Sequence, residues 1–193
     1  MQNNIRNFKM VLEYDGSAYC GWQRQKNGLS IQQTLEEKIE FITREKVTVI
    51  GSGRTDAGVH ALNQVASFRS NTYLSSDILY RGINSLLPRD IVIKEFEEVE
   101  VNFHPRHNAC GKVYVYKICN RKLRPALGRN YVWFIRYPLD LIAMKQAGDY
   151  LIGRHDFSCF CATGTNVKDR NRTVTNLSFD SGNDGLLDIT IEA

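Results

Sequence analysis

Phe8-Lys9-Met10-Val11-Leu12-Glu13-Tyr14 decides the fold together with the segments C-terminal to it. Phe8, Met10, Leu12 and Tyr14 alternate with Lys9, Val11 and Glu13, the period of two of a strand with one face on a core. Asp15-Gly16 then turns the chain. Ser30 opens a helix with Gln33 three residues on, the spacing of a capping box. Ile31, Leu35, Ile39 and Ile42 come next, at spacings that stack on one helix face. Val47 to Ile50 predicts a short β-branched strand and Asn63 to Phe68 a second, with a glycine-rich loop between them too long for a two-residue hairpin turn. Ser75 or Ser76 caps another helix running through Leu87, Pro88 stops it, and Ile91 to Phe96 returns as a strand. The order is β-α-β-β-α-β. That is the split βαβ, or ferredoxin-like, arrangement, with an antiparallel four-stranded sheet and both helices on one face. The other face is left free, and RNA-recognition modules of this topology stack bases there.

The second half begins the same way. Val113 to Ile118 and Tyr131 to Tyr137 read as strands, Leu139 to Ile152 as a helix, and Thr173 to Phe179 and Leu187 to Ile191 as strands. A second helix is missing. The expected fold class is therefore α+β, with two ferredoxin-like halves over residues 1–105 and 106–193, the second incomplete at its C-terminus.

With 193 residues, 42% of them hydrophobic and 24% charged, the chain has the composition of an ordinary globular protein, which excludes a disordered or coiled-coil chain. No apolar run is long enough to span a bilayer and none at the start resembles a secretory signal, so a cytoplasmic protein with no membrane partner is expected. The five cysteines form no Cys-x-x-Cys pair and are expected to be reduced thiols, and the four histidines are scattered over three regions, so no metal site is expected. A formal charge of +4 permits a nucleic-acid partner without requiring one.

Three segments carry chemistry. Gly51-Ser52-Gly53-Arg54-Thr55-Asp56-Ala57-Gly58-Val59-His60 lacks the Lys-Ser or Lys-Thr of a Walker loop and precedes a strand where a dinucleotide fold requires a helix. It reads either as a surface loop of turn residues or as a site. In favour of the site is an Asp two residues after an Arg: a guanidinium beside a carboxylate keeps it ionised, as a nucleophile or general base requires. The second segment runs from Glu13 to Gln25, where Tyr14 and Trp22 read equally well as core plugs, and Gln23, Arg24 and Gln25 as polar contacts. The third is Phe103-His104-Pro105-Arg106-His107, succeeded by Tyr114 and Tyr116 on one face of a strand and by Arg121, Lys122 and Arg124. One tyrosine could stack on a base while the cations hold phosphates, although an ordinary aromatic strand with a solvated basic turn fits as well.

Together these segments resemble the TruA-type tRNA pseudouridine synthases. Tyr14-Asp15-Gly16 through Gly21-Trp22-Gln23-Arg24-Gln25 is similar to that family's opening motif, and Gly53-Arg54-Thr55-Asp56-Ala57-Gly58-Val59-His60 to its catalytic loop. Arg81-Gly82-Ile83-Asn84-Ser85-Leu86-Leu87-Pro88, Phe103-His104-Pro105-Arg106 and Asp156-Phe157-Ser158 also fall in place. The resemblance implies an isomerase that detaches uracil from its ribose, rotates it and rejoins it through carbon, at positions 38 to 40 of the tRNA anticodon stem-loop, with no cofactor. It implies Asp56 as the essential carboxylate, Arg54 pairing with it, and Tyr114 stacking on the uracil. Arg172 would face the site, and Gln23, Arg24, His60 and Arg106 would contact the substrate. The family continues past the strand ending near Ala193 into a Phe-Leu, Met-Val-Arg segment and a long helix, which this sequence lacks. A truncated chain is thus expected, homodimeric if that segment is supplied. The alternatives are a catalytically impaired family member and a non-catalytic RNA-binding module.

Overall fold

The computed structural model describes residues 5–161 and 169–193. The chain divides into two compact units, Met1–Ala109 and Cys110–Ala193.

In the first unit β1 (Arg6–Tyr14), α1 (Ile31–Thr43), β2 (Ile50–Gly51), β3 (Ala61–Ser70), α2 (Ser76–Leu86) and β4 (Ile91–Val99) succeed one another in the predicted order. The sheet runs β2-β3-β1-β4, antiparallel at each pairing, as the split βαβ requires. Phe8, Met10, Leu12 and Tyr14 of β1 are buried in one core with Phe68, Ile91 and Ile93 of the sheet and with Ile31, Leu35, Ile39, Leu79 and Ile83 of the two helices. The opposite face bears charge instead. Lys9 pairs with Glu97 at 2.7 Å and Lys94 with Glu13 at 3.7 Å. The aromatic rings of β1, β3 and β4 all belong to the core side, so this free face offers no platform for stacking bases.

Two local expectations change. Ser30 caps α1 by accepting from the Gln33 N–H at 3.2 Å, but the Gln33 side chain turns forward to Glu37 at 2.8 Å, so the capping box is half made. The strand expected over Val47 to Ile50 shrinks to Ile50–Gly51. Val49 is buried, yet its backbone serves side chains rather than a neighbouring strand: its N–H donates to Glu36 Oε1 at 3.1 Å and its carbonyl accepts from Gln32 Nε2, also at 3.1 Å.

The second unit contains β5 (Val113–Asn120), β6 (Trp133–Ile135), α3 (Leu141–Asp149), β7 (Gly153–Asp156), β8 (Asn171–Val174), β9 (Asn176–Ser181) and β10 (Leu186–Glu192). The strands β9-β10-β5 repeat the β2-β3-β1 arrangement of the first unit, and β6 lies parallel to β5 at the remaining position. The protein is thus an α+β fold of two ferredoxin-like halves. The helix is shorter than its periodicity suggested because Asp140 caps it, accepting from the Ala143 N–H at 3.0 Å, while the Leu139 N–H before it goes to Asn120 Oδ1 at 3.3 Å. The aromatic run from Tyr131 to Tyr137 supplies only the three residues of β6, after a 3₁₀ turn over Arg129–Tyr131. The single strand read over Thr173 to Phe179 is two strands: Thr175 gives its N–H to Glu192 at 2.8 Å, and β8 pairs instead with β7, a strand the alternation did not reveal.

Cross-strand partners share a face, so Tyr114 and Tyr116 stand on the same side as Ile191 and Ile189 of β10 and as Leu177 and Phe179 of β9. On that side α3 packs over β9, its Gly148 against Leu177 and Phe179, while Tyr114 and Tyr116 stay exposed. Among the described residues, no helix is long and apolar enough to cross a membrane.

Candidate active site

The two motifs of the first unit form one structure. The loop from Gly51 to His60 leaves β2 tied down at its base, where Ser52 donates its N–H to Val65 at 2.8 Å and Gln64 Nε2 donates to the Gly53 carbonyl at 2.6 Å. Its crest is clamped by the segment after β1. The Trp22 N–H donates to the Thr55 carbonyl at 3.0 Å, the Gly58 N–H to the Tyr19 carbonyl at 3.3 Å, and the Tyr14 hydroxyl meets Thr55 Oγ1 at 2.9 Å. At the far end His60 Nδ1 lies 3.1 Å from the Gly16 N–H and 3.0 Å from Asp15 Oδ1. A neutral ring accepts from Gly16, and a protonated one donates to Asp15, so either charge state holds the loop.

Close approach explains the glycines of both motifs. A Cβ on Gly16 would fall 2.0 Å from the Val59 carbonyl oxygen, and one on Gly21 would fall 2.4 Å from that of Thr55. Gly21 and Gly58 also have positive φ, at 85° and 78°, where a side chain is strained. In the Gly58 turn the Val59 N–H closes onto the Asp56 carbonyl at 3.2 Å.

Asp56 and Arg54 stand exposed on this clamped loop. They are not joined to each other, and among the described residues no ion pair in the first unit involves either one. Tyr14 and Trp22 prove to be core residues, 3% and 2% exposed. Burial pushes the pKa of the Tyr14 hydroxyl above the ordinary tyrosine value, which keeps it a neutral partner for Thr55. Tyr19 is raised too, by burial first and then by the carboxylate of Asp90, to which its hydroxyl donates at 2.7 Å.

Gln23 and Arg24 are drawn into a network with two residues the sequence reading missed. Gln32 Oε1 accepts from Gln23 Nε2 and from the Arg24 N–H, both at 3.0 Å, and the buried Glu36 accepts from Arg24 Nη1 at 3.0 Å and from Gln32 Nε2 at 2.9 Å. Only half of the Arg24 side chain is covered, so part of its guanidinium still faces outward. The signal for Gln32 and Glu36 was their four-residue spacing, which places two polar side chains together on a helix.

Arg106 is exposed on the turn after β4, where its N–H meets His104 Nδ1 at 3.2 Å and the rings of His104 and His107 lie 4.3 Å apart. That turn is anchored by the buried Asn7, whose Nδ2 donates to the carbonyls of Glu100 and Phe103 at 3.1 and 2.9 Å. Asn84, in the motif of α2, brackets Ile93 of β4 with hydrogen bonds of 3.0 and 2.9 Å and so serves the fold. In the second unit Tyr114 is 46% exposed at the start of β5. Arg172 lies within β8 and curls back, donating to the carbonyls of Asp169 and Asn171 at 3.0 and 2.6 Å. Asp156 accepts from the hydroxyl and N–H of Ser158, which hold its carboxyl below the usual carboxylate range.

The fold and this loop define a protein that presents an exposed carboxylate on a rigidly clamped turn beside a ferredoxin-like sheet. The family model described as tRNA pseudouridine synthase matches residues 10–108, which include both motifs. The tRNA pseudouridine synthase A of Thermoanaerobacter sp. (strain X514) is 47% identical over 189 residues, 98% of this chain and 77% of that protein. The tRNA pseudouridine synthase A 2 of Clostridium perfringens (strain 13 / Type A) is 45% identical over 92% of this chain and 72% of its own length. That of Acetivibrio thermocellus is 45% identical over 91% and 72%. The chain belongs to the tRNA pseudouridine synthase family, a class of isomerases.

Proposed function

We propose that the chain converts uridine to pseudouridine in the anticodon stem-loop of tRNA, at positions 38 to 40, with Asp56 as the catalytic carboxylate. The observation that carries this reading is the exposed Asp56 on a loop held by hydrogen bonds at Thr55, Gly58 and His60, in a chain of this family. A stacked uridine hides its glycosidic carbon, so the nucleotide must be extruded, at roughly a few kcal/mol. Asp56 then either attacks as nucleophile or removes the ribose 2′ proton to give a glycal, uracil turns, and a carbon–carbon bond replaces the nitrogen–carbon bond as the proton at carbon 5 leaves. Holding the carboxylate in place beforehand is what a clamped loop contributes to such a step.

In this reading Arg54, free of an ion pair with Asp56, enters the space left by the extruded base. Tyr114 stacks on the uracil, and Arg172 faces the site. The outward part of Arg24, with Gln23 and Arg106, meets the RNA, while His60 acts by holding the loop. The working molecule is cytoplasmic, requires no cofactor, and is a homodimer when the family's C-terminal segment is present.

The experiment is tritium release from tRNA carrying uridine tritiated at carbon 5, with this chain and its Asp56→Asn variant side by side. Release by the parent alone, with equal tRNA binding by both, is the expected result. Release by the variant at a comparable rate sinks the assignment of Asp56. No release from a folded, tRNA-binding parent favours the non-catalytic RNA-binding module.

A further inference from the structure

Between Arg121 and Tyr137 the chain carries Arg121, Lys122, Arg124, Arg129 and Arg136 and no Asp or Glu, although acidic residues are nearly as numerous as basic ones overall, 21 against 25. The segment is held in place, not loose. Asn120 Nδ2 donates to the carbonyls of Ile135 and Tyr137 at 2.8 and 2.6 Å, Pro125 is buried, and Arg121 is bound both to the Leu123 carbonyl at 2.9 Å and to Asp184. Arg121 is therefore the segment's internal tie. Among the described residues no carboxylate forms an ion pair with Lys122, Arg124, Arg129 or Arg136, and all four are exposed. Leu123 and Leu127 stand 79% and 93% exposed between them.

Cations fixed close together without counter-charges repel one another, which an anionic partner relieves. The segment leaves the end of β5 opposite to Tyr114, and six strand residues separate the two by about 20 Å. One nucleotide cannot span that distance.

We infer that residues 122–129 form a phosphate clamp that grips the sugar–phosphate backbone of tRNA at a point separate from the uridine being converted; the choice of tRNA as partner rests on the function proposed above. Lys122, Arg124 and Arg129 supply the charge, the exposed leucines lie against ribose, and the Arg121–Asp184 tie keeps the loop open for them. Binding through phosphates alone is independent of sequence and strongly dependent on salt.

The test is equilibrium binding of a fluorescent full-length tRNA transcript over a series of salt concentrations, comparing the parent with Lys122→Ala/Arg124→Ala/Arg129→Ala. Loss of three phosphate contacts should reduce the slope of log affinity against log salt by about 2 to 3, and affinity near 0.1 M salt at least about tenfold. The variant Lys122→Arg/Arg124→Lys/Arg129→Lys, which keeps the charges, should retain the parental slope. Thermal unfolding like the parent's shows that the alanine variant is folded. An unchanged slope in a folded alanine variant overturns the inference and leaves the segment to an acidic protein surface. Tritium release is read separately: a parent that binds with this salt dependence but converts no uridine refutes the isomerase reading and leaves the clamp standing.

Discussion

Replacing Gly21 by alanine tests whether the segment after β1 positions the loop that carries Asp56. An alanine there carries two burdens. Its φ of 85° is left-handed, which costs an L-residue about 1–2 kcal/mol, less about 0.4–1 kcal/mol returned by stiffening the unfolded chain. Its Cβ would also sit 2.4 Å from the Thr55 carbonyl oxygen and 3.0 Å from the Asp56 carbonyl carbon, about 1 Å inside ordinary contact, which begins at 3.4 Å. Both neighbours are backbone, so the Thr55–Asp56 peptide must move. Gly58→Ala is the control, because at φ 78° it bears the same strain with nothing within 4 Å of the new methyl. Gly58→Ala should lower stability by about 1 kcal/mol, a fall of about 4–8 °C in the melting temperature of a unit this size, with turnover little changed. Gly21→Ala should add an overpacking cost of about 1–3 kcal/mol, and the displacement of Asp56 by about 1 Å should cut kcat on the order of 100-fold. Thermal unfolding and tritium release, both below the lower melting temperature, give the two readouts. If folded Gly21→Ala turned over like the parent, the contact would not control where Asp56 sits. If Gly58→Ala lost as much activity, loop strain rather than displacement would be responsible.

Glu36→Ala should destabilise the first unit by about 2–3 kcal/mol in denaturant titration, because the buried Val49 N–H loses its acceptor, whereas Glu36→Gln should cost about 1 kcal/mol or less because Arg24 is half exposed. Equal losses in the two variants would show that charge, not the hydrogen bond, matters. Tyr19 predicts an alkaline limit. Its ionisation in the folded protein lies above that in the unfolded chain, so its contribution is complete below about pH 10 and is lost as pH rises further, when the unfolded state releases its proton first. Denaturation at stepped pH should show this fall, shallower in Tyr19→Phe; the same slope in both proteins would assign it to Tyr14 or to other groups.

The first unit was legible because its signals are local and agree. Alternation in β1, the Ile31-Leu35-Ile39 stripe, the cap at Ser75 and the stop at Pro88 each point to the element found, and the core they predict is the core observed. The Val47–Ile50 strand failed for a tertiary reason: apolar, β-branched residues mark burial, but the partners of Val49 are the side chains of Gln32 and Glu36. The same holds for the site. Asp56 and Arg54 stood out on the chain, whereas the clamp that makes Trp22, Tyr19 and Tyr14 part of their loop depends on approaches between residues more than thirty apart, which no spacing rule reaches.

The second unit misled in a way that its packing explains. Among the described residues its buried hydrophobic side chains, Pro125 aside, are Ile118, Cys119, Val174 and Leu187, against sixteen in the core of the first unit, and Tyr116 and Trp133 are 63% and 66% exposed. Period-two patterns report a strand through the burial of one face, so where burial is slight the pattern weakens and boundaries slip, as they did at β6, β8 and β9. What fixes those elements is polar and specific: Asp140 capping α3, Asn120 bridging β5 to the chain beyond β6, and Thr175 bonded to Glu192. The two units thus hold the residues proposed for the site by different means. In the first, a hydrophobic core fixes a sheet, and glycines let the Asp56 loop settle against it. In the second, backbone ladders place Tyr114 against β10 and Arg172 against β7, and the Asn120 side chain ties the basic segment to β5, a tie that one substitution can cut without opening a core.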